Sequence, residues 1–220
     1  MFHHQNKKTK DIINMTTILG IDVGLRNLAI CRIQIKENSC EIIAWEVLDV
    51  LQDKKSKQIS IQDGVNILLE SLSNVRNDTN NTLLADGIDI CCIESQPTGR
   101  MATGNTRMKV MSHIIQAFFK INMPTTIVKF INPKSKLVNE FVTTLLGDGE
   151  KEEKGDAATK KRYRQHKKRA IQACQCYLEK ENQKWSEWYM KLPKKDDAAD
   201  SFLIAYLGQG KKKNKKRKRK

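Results

Sequence analysis

Residues 16–23 read Thr-Thr-Ile-Leu-Gly-Ile-Asp-Val, a short β-rich run closed by Gly24. The pattern predicts a buried strand that ends in a turn, with Asp22 at its end. An aspartate in such a place is costly unless a partner or a metal ion neutralises it. A chain that begins this way must fold so that other groups meet the end of a central strand.

Further acidic positions answer to the same description. Residues 88–93 are apolar enough for a second central strand and run into Glu94-Ser95-Gln96-Pro97, so Glu94 also stands at a strand end. Later in the chain, Asp196-Asp197-Ala198-Ala199-Asp200 packs three carboxylates into five residues, and residues 202–207 continue it as an apolar helix. On a helix Asp197 and Asp200, three apart, share a face. Alone, such acids are a common first turn, where they favour the helix dipole. The alternative counter-ion is a divalent metal, which can hold a geometry, and hard cations such as Mg²⁺ take carboxylate oxygens.

The elements between these acids set the fold. Residues 28–35 alternate Ala29, Cys31, Ile33 and Ile35 against Arg32 and Gln34, and residues 41–47 are a further β-rich run. The first three strands therefore read as an antiparallel meander. Helical spacing of Ile61, Val65, Leu68, Leu69, Leu72 and Val75 marks residues 60–77, with Ser60 and Asp63 at its start, and a polar loop follows over 77–86. A stripe of Met108, Met111, Ile114, Ile115, Phe118 and Phe119 marks a second helix, with His113 off the stripe at the surface. Residues 125–131 are another strand, and Asn132-Pro133 starts a helix over 134–146 that Gly147 stops. Residues 148–159 turn polar and acidic, as a surface insertion does. A helix then runs through Ala170, Ile171, Cys174, Tyr177 and Leu178, and Trp185, Trp188 and Tyr189 cover the core.

This order predicts an α/β fold, a central mixed five-stranded sheet flanked by helices, antiparallel at one edge and parallel at its centre. The domain takes residues 16–208, between a disordered polar leader over 1–15, with Met15 as a second candidate start, and a basic disordered tail over 209–220. If the first and fourth strands are neighbours, about 4.8 Å apart, Asp22 and Glu94 sit side by side.

Charge says what such a domain binds. The net charge is +15, and nine of the last ten residues are Lys or Arg, which leaves +6 on the rest. A body basic in its own right implies a polyanionic partner, nucleic acid before a membrane surface, because the tail has no apolar face to insert. No apolar run is long enough to span a bilayer and residues 1–14 lack the apolar centre of a signal peptide, so an intracellular protein is expected. The tail reads as a DNA tether or a nuclear address. Candidates for gripping phosphates are Arg26 in the turn after the first strand and Arg100, Arg107 and Lys109 just past Glu94. Lys160, Lys161, Arg162, Arg164, Lys167 and Lys168 join them, in a stretch that also holds Arg169. A merely solvated basic loop is the alternative for any one of them. The six cysteines have no Cys-x-x-Cys pair and several lie in apolar patterns, so they read as buried thiols.

Asp22, Glu94, Asp197 and Asp200, with no imidazole cluster beside them, are a ligand set for Mg²⁺, or Mn²⁺ in its place, rather than zinc. Two such ions about 4 Å apart activate a water and stabilise the leaving oxygen of a phosphodiester. Ile18-Leu19-Gly20-Ile21-Asp22-Val23-Gly24-Leu25-Arg26-Asn27, then Ile93-Glu94-Ser95-Gln96-Pro97 with its basic loop and helix, then Asp196 through Phe202, resemble the RuvC-like Holliday junction resolvases. The resemblance covers roughly residues 16–208. Its nearest branch is that of poxviruses and large DNA viruses, related to the fungal mitochondrial resolvases, where a Gln two places after the glutamate recurs.

The resemblance implies an RNase H-like fold and a Mg²⁺-dependent endonuclease. It implies a homodimer that nicks two opposed strands of a four-way DNA junction during recombination, repair or concatemer resolution, in the nucleus or a viral replication site. Carried over by position, the catalytic acids are Asp22, Glu94, Asp197 and Asp200. The family's Asp-x-x-Asp selects Asp197 with Asp200 and leaves Asp196 a supporting or surface place, while Asp196 with Asp200, four apart, is the other register. Three other readings stand beside it: an RNase H-like nuclease for other branched or hybrid substrates, a noncatalytic nucleic-acid-binding protein, and an ATPase of the actin and sugar-kinase type. The last shares Gly-Ile-Asp-x-Gly but needs a second phosphate loop and a longer chain.

Overall fold

The computed structural model describes residues 15–37, 39–52, 59–96, 106–136, 140–147 and 156–210. Its strands are β1 (Met15–Asp22), β2 (Leu28–Lys36), β3 (Ser39–Leu48), β4 (Ile90–Glu94) and β5 (Ile127–Ile131). Its helices are α1 (Ile61–Asn77), α2 (Thr106–Asn122), α3 (Glu140–Leu146), α4 (Asp156–Glu181), α5 (Gln183–Lys191) and α6 (Asp196–Leu207). The five strands form one sheet in the order β3-β2-β1-β4-β5, with β1 antiparallel to β2 and β2 to β3, and β4 parallel to both β1 and β5. The expected meander and parallel centre are both present, and β1 and β4 are neighbours.

Strand periodicity sorts the core into two layers. Leu19, Ile21, Leu28, Ile30, Cys91 and Ile93 pack with Leu68 and Leu72 of α1 and Met111, Ile115, Phe118 and Phe119 of α2. Ile18, Cys31, Ile33 and Cys92 point the other way, into the layer of α3 to α6. Both faces of the sheet are thus covered, as parallel strands require. Helix α1 starts where its sequence says: the Ser60 hydroxyl accepts from the Asp63 amide at 3.0 Å. His113 is exposed, 5.2 Å from the Phe130 ring, as its place off the stripe predicts.

On the α3 to α6 side, Trp45 of β3 is 1% exposed and lies 5.5 Å from the ring of Tyr189 and 5.8 Å from that of Phe202. Its indole donates to Ser201 Oγ at 3.0 Å, which satisfies a buried N–H and ties α6 to β3. The indole of Trp185 donates to the carbonyl of Ile42 at 2.8 Å. The late aromatics therefore cover the core. All six cysteines are free thiols, and burial pushes those of Cys31, Cys91 and Cys174 well above their ordinary range.

Three details add to or depart from the sequence reading. Arg32 faces inward and is 8% exposed, because its guanidinium donates to the carbonyls of Thr82 (2.6 Å), Ala85 (3.0 Å) and Asp86 (2.9 Å). The polar loop over 77–86 lies against the sheet, and a buried arginine supplies the donors that its carbonyls need. The helix expected over 134–146 is a short 3₁₀ turn at Pro133–Lys136 and then α3, with residues 137–139 outside the described residues. Helix α4 begins at Asp156, inside the stretch read as a surface insertion, of which residues 148–155 are outside the described residues.

Candidate metal centre

The register of β1 and β4 decides the geometry at their ends. Gly20 pairs with Cys92 and Ile21 with Ile93, so Asp22 and Glu94 are next in line on adjacent strands. Side chains two apart along a strand share a face. Ile18 and Cys92 lie in the α6 layer, and hence Asp22 and Glu94 both stand on that side of the sheet.

Helix α6 comes unusually close to this face. A Cβ on Gly20 would lie 2.2 Å from the Ser201 carbonyl oxygen and 2.3 Å from the Ala205 amide nitrogen. One on Gly208 would lie 2.6 Å from Cys92 Sγ and 2.7 Å from Ile18 Cγ2. Gly20 lets the backbone of α6 meet that of β1, and Gly208 lets the end of the helix settle on the side chains of Cys92 and Ile18. They also give the direction: Gly208 lies over Ile18, and Ser201 and Ala205 over Gly20, so α6 runs antiparallel to β1. One helical turn from Ser201 back to Asp197 covers about 6 Å, and two residues of strand from Gly20 to Asp22 cover nearly the same. Asp197, four before Ser201, is on the sheet-facing side of the helix and level with Asp22.

Asp197 and Asp196 are both held by cations. Lys194 Nζ is 2.5 Å from Asp197 Oδ2 and 3.8 Å from Asp196 Oδ2, and Lys167 of α4 pairs with Asp196 as well. Asp196, expected in a supporting or surface place, is 8% exposed. Burial pushes its carboxyl up, but the Lys167 hydrogen bond and the charges of Lys194 and Lys167 outweigh it and hold the pKa below the usual range. Asp200 lies one turn from Asp196, toward α4 and α5. Burial pushes the thiol of Cys174 and the phenol of Tyr189 up, and the charge of Asp200 adds to both. The start of α6 thus presents Asp197 to the sheet and Asp196 to Lys167 of α4, with Asp200, three residues from Asp197 and four from Asp196, between the two directions.

The structure therefore brings Asp22, Glu94 and the backbone of Asp197 to one end of β1 and β4. Among the described residues no three His, Cys, Asp or Glu side chains are grouped to hold an ion. The donors fit a hard divalent cation in chemistry, all being carboxylates, and Asp197 already carries a cation in the form of the Lys194 ammonium. The basic candidates are scattered in role. Arg26 pairs with Asp49 at 2.9 Å, and Arg107 donates to the Ile59 carbonyl at 2.5 Å. Lys109 is half-buried on α2, and Arg164 and Lys168 are exposed on α4. Lys167, read as a phosphate contact, is turned to Asp196. Arg100 lies outside the described residues, as do the side chains of Lys160, Lys161 and Arg162.

Sequence reasoning passed over Gly20, Lys194 and the burial of Asp196. A glycine inside an apolar strand is a signal of close approach, and it was there to be read. The pairing of Asp196 with a lysine 29 positions away was not.

The depressed carboxyl of Asp196 has a pH consequence. Its folded pKa is below the unfolded one, so the stabilisation is present above the unfolded pKa, about 4, and is lost as pH falls through the folded value. Urea midpoints measured from pH 6 down to pH 3 are expected to fall more steeply for the unaltered chain than for Asp196→Asn, which lacks the titrating group.

A mixed five-stranded sheet in this order, with helices on both faces, is an RNase H-like fold and is similar to that of RuvC. The solved structure of Thermus thermophilus RuvC is similar over 87% of this chain and 91% of its own, with a TM-score of 0.51 and 13% identity. The structure of T. thermophilus RuvC in complex with a Holliday junction substrate aligns over 86% of this chain and 90% of that one, with a TM-score of 0.47 and 13% identity. No protein-family model and no curated protein matches the sequence.

Proposed function

We propose that the chain is a divalent-metal-dependent endonuclease that resolves four-way DNA junctions by paired phosphodiester hydrolysis, acting as a homodimer. The observation that carries this reading is the juxtaposition of Asp22 and Glu94 on neighbouring strands, with α6 laid over Gly20 so that Asp197 stands level with them. Asp22 and Glu94 are half-buried carboxylates of the kind that hard cations bind, and a basic surface needs a polyanion; a metal-dependent nuclease accommodates both. The motif runs around Asp22, Glu94 and Asp197, with Gln96 two places after the glutamate, support the viral and mitochondrial branch of the resolvases.

In this reading Asp22, Glu94 and Asp197, with Asp200 on the next turn, hold Mg²⁺ or Mn²⁺. The ions would supply charge stabilisation to a phosphodiester under attack by water. The rest falls to the chain's own groups. The sheet fixes Asp22 and Glu94, which keeps their separation constant when DNA arrives. Arg164 and Lys168, exposed on α4, offer positive charge, so that a polyanion is held where the acids alone would repel it. Among the described residues no helix is long and apolar enough to cross a membrane.

The test compares a synthetic four-way junction with a flap, a linear duplex and an RNA–DNA hybrid, each with Mg²⁺, with Mn²⁺ and with EDTA. Symmetrical nicking of the junction that requires the metal is the expected result. Preference for another substrate would replace junction resolution with a different RNase H-like nuclease. Tight binding with no metal-dependent nicking of any substrate would make the protein a noncatalytic binder.

A further inference from the structure

The contacts of Lys194 bear on how the metal centre is occupied, and their meaning rests on the proposed nuclease function. Three carboxylates open α6 within five residues, and two lysines face them. Lys167 pairs with Asp196, whereas the Lys194 ammonium lies between two of these acids, 2.5 Å from Asp197 and 3.8 Å from Asp196. The side chains of Asp196 and Asp197 are 11% and 14% exposed, while that of Lys194 is 50% exposed. The acids are held by the helix, and the cation between them sits on a long, half-exposed stem.

We propose that Lys194 is a resident counter-ion of the centre, which neutralises Asp197 when no divalent cation is bound and moves to Asp196 when one binds. A metal ion and an ammonium cannot share one carboxylate oxygen at contact distance, because like charges there repel. An ammonium left on Oδ2 would still stand a few ångströms from an ion on the other oxygen of Asp197 and repel it, so binding of the ion displaces Lys194, and the nearest acceptor is already in place. Asp196 is thereby given a task that its burial alone does not explain: with Lys167 as a fixed partner it keeps a carboxylate oriented to receive the displaced ammonium. Asp196 and Asp197 are then neutralised in both states, which guards the helix against repulsion between these two acids while the ion is absent.

The experiment is a titration of the full chain with Mn²⁺ alone, without DNA, following the free ion by its electron paramagnetic resonance signal. Lys194→Met removes the competitor and is expected to bind Mn²⁺ about tenfold more tightly, the scale on which a like charge a few ångströms away moves an ionic equilibrium. Lys194→Arg, which keeps the charge, stays close to the unaltered chain. Asp196→Asn removes the acceptor and weakens Mn²⁺ binding, but this effect disappears in the Lys194→Met background, where there is no ammonium to receive. Unchanged or weaker binding by Lys194→Met, or equal effects of Asp196→Asn in both backgrounds, overturns the proposal while leaving the metal centre standing. If Asp197→Asn binds Mn²⁺ as well as the unaltered chain does, the ion is not at Asp197, and the reading of the centre fails together with the counter-ion.

Discussion

Gly20→Ala is expected to be among the most damaging single-methyl additions this domain can receive. The added carbon would sit 2.2 Å from the Ser201 carbonyl oxygen and 2.3 Å from the Ala205 amide nitrogen, and 2.8 Å from the Ala205 Cα. All three are backbone atoms of a buried helix, so no side chain can swing away to make room. Either α6 lifts off β1 as a body or β1 bends within the centre of the sheet. Overpacking of a well-filled core ordinarily costs about 1–3 kcal/mol, and the rigidity of both partners here puts the expected loss at about 3 kcal/mol or more. That is a large share of the roughly 5–15 kcal/mol by which a domain is stable. Urea denaturation followed by far-UV circular dichroism should show the midpoint falling accordingly. Metal-dependent nicking should fall further than the loss of folded protein accounts for, since a lifted α6 carries Asp197 away from Asp22. A variant as stable and as active as the unaltered chain would mean that α6 does not rest on β1 at Gly20. Alanine at Ile61, 41% exposed on α1, is the matched control and should change little.

This sensitivity marks the boundary of what was legible in the linear sequence. The strand-ending acids were legible because a carboxylate in an apolar run is costly wherever the strand lies, and the cost needs no partner to be noticed. The meander and the parallel centre were legible because alternation and element order constrain pairing. Alternation set Arg32 opposite the apolar positions of β2 without saying what it meets there, and three carbonyls of the loop over 82–86 draw it inward. Nothing local in β2 encodes that loop's position. The same holds for Lys167: one basic residue in a stretch of seven has no local mark that separates it from its neighbours, and only the packing of α4 on α6 turns it toward Asp196. Periodicity names the face of an element; long-range partners depend on how elements are laid across one another.

The register of the acidic run at the start of α6 is where the two kinds of information meet, and it yields the sharpest prediction. On the proposed nuclease reading, Asp197→Asn is expected to lower metal-dependent junction cutting about a thousandfold or more, since the loss of one carboxylate from the proposed centre forfeits several kcal/mol of charge stabilisation. Its effect on stability should be small, within about 1 kcal/mol, because its partner Lys194 is half exposed and stays solvated without it. Asp196→Asn should behave in the opposite sense. It removes the charge-assisted partner of Lys167, at an expected cost of about 1–3 kcal/mol in folding, and its effect on cutting should be the smaller of the two. Glu94→Gln groups with Asp197→Asn if both serve one centre, with junction binding retained in each. The pattern that would sink the assignment is the reverse one, with Asp196→Asn inactive and stable and Asp197→Asn active. That result would pair Asp196 with Asp200, four apart along the helix, and would put the centre between α6 and the helices α4 and α5. Measuring cutting and stability on the same preparations separates the two registers because each carboxylate weighs mainly on one of the two quantities.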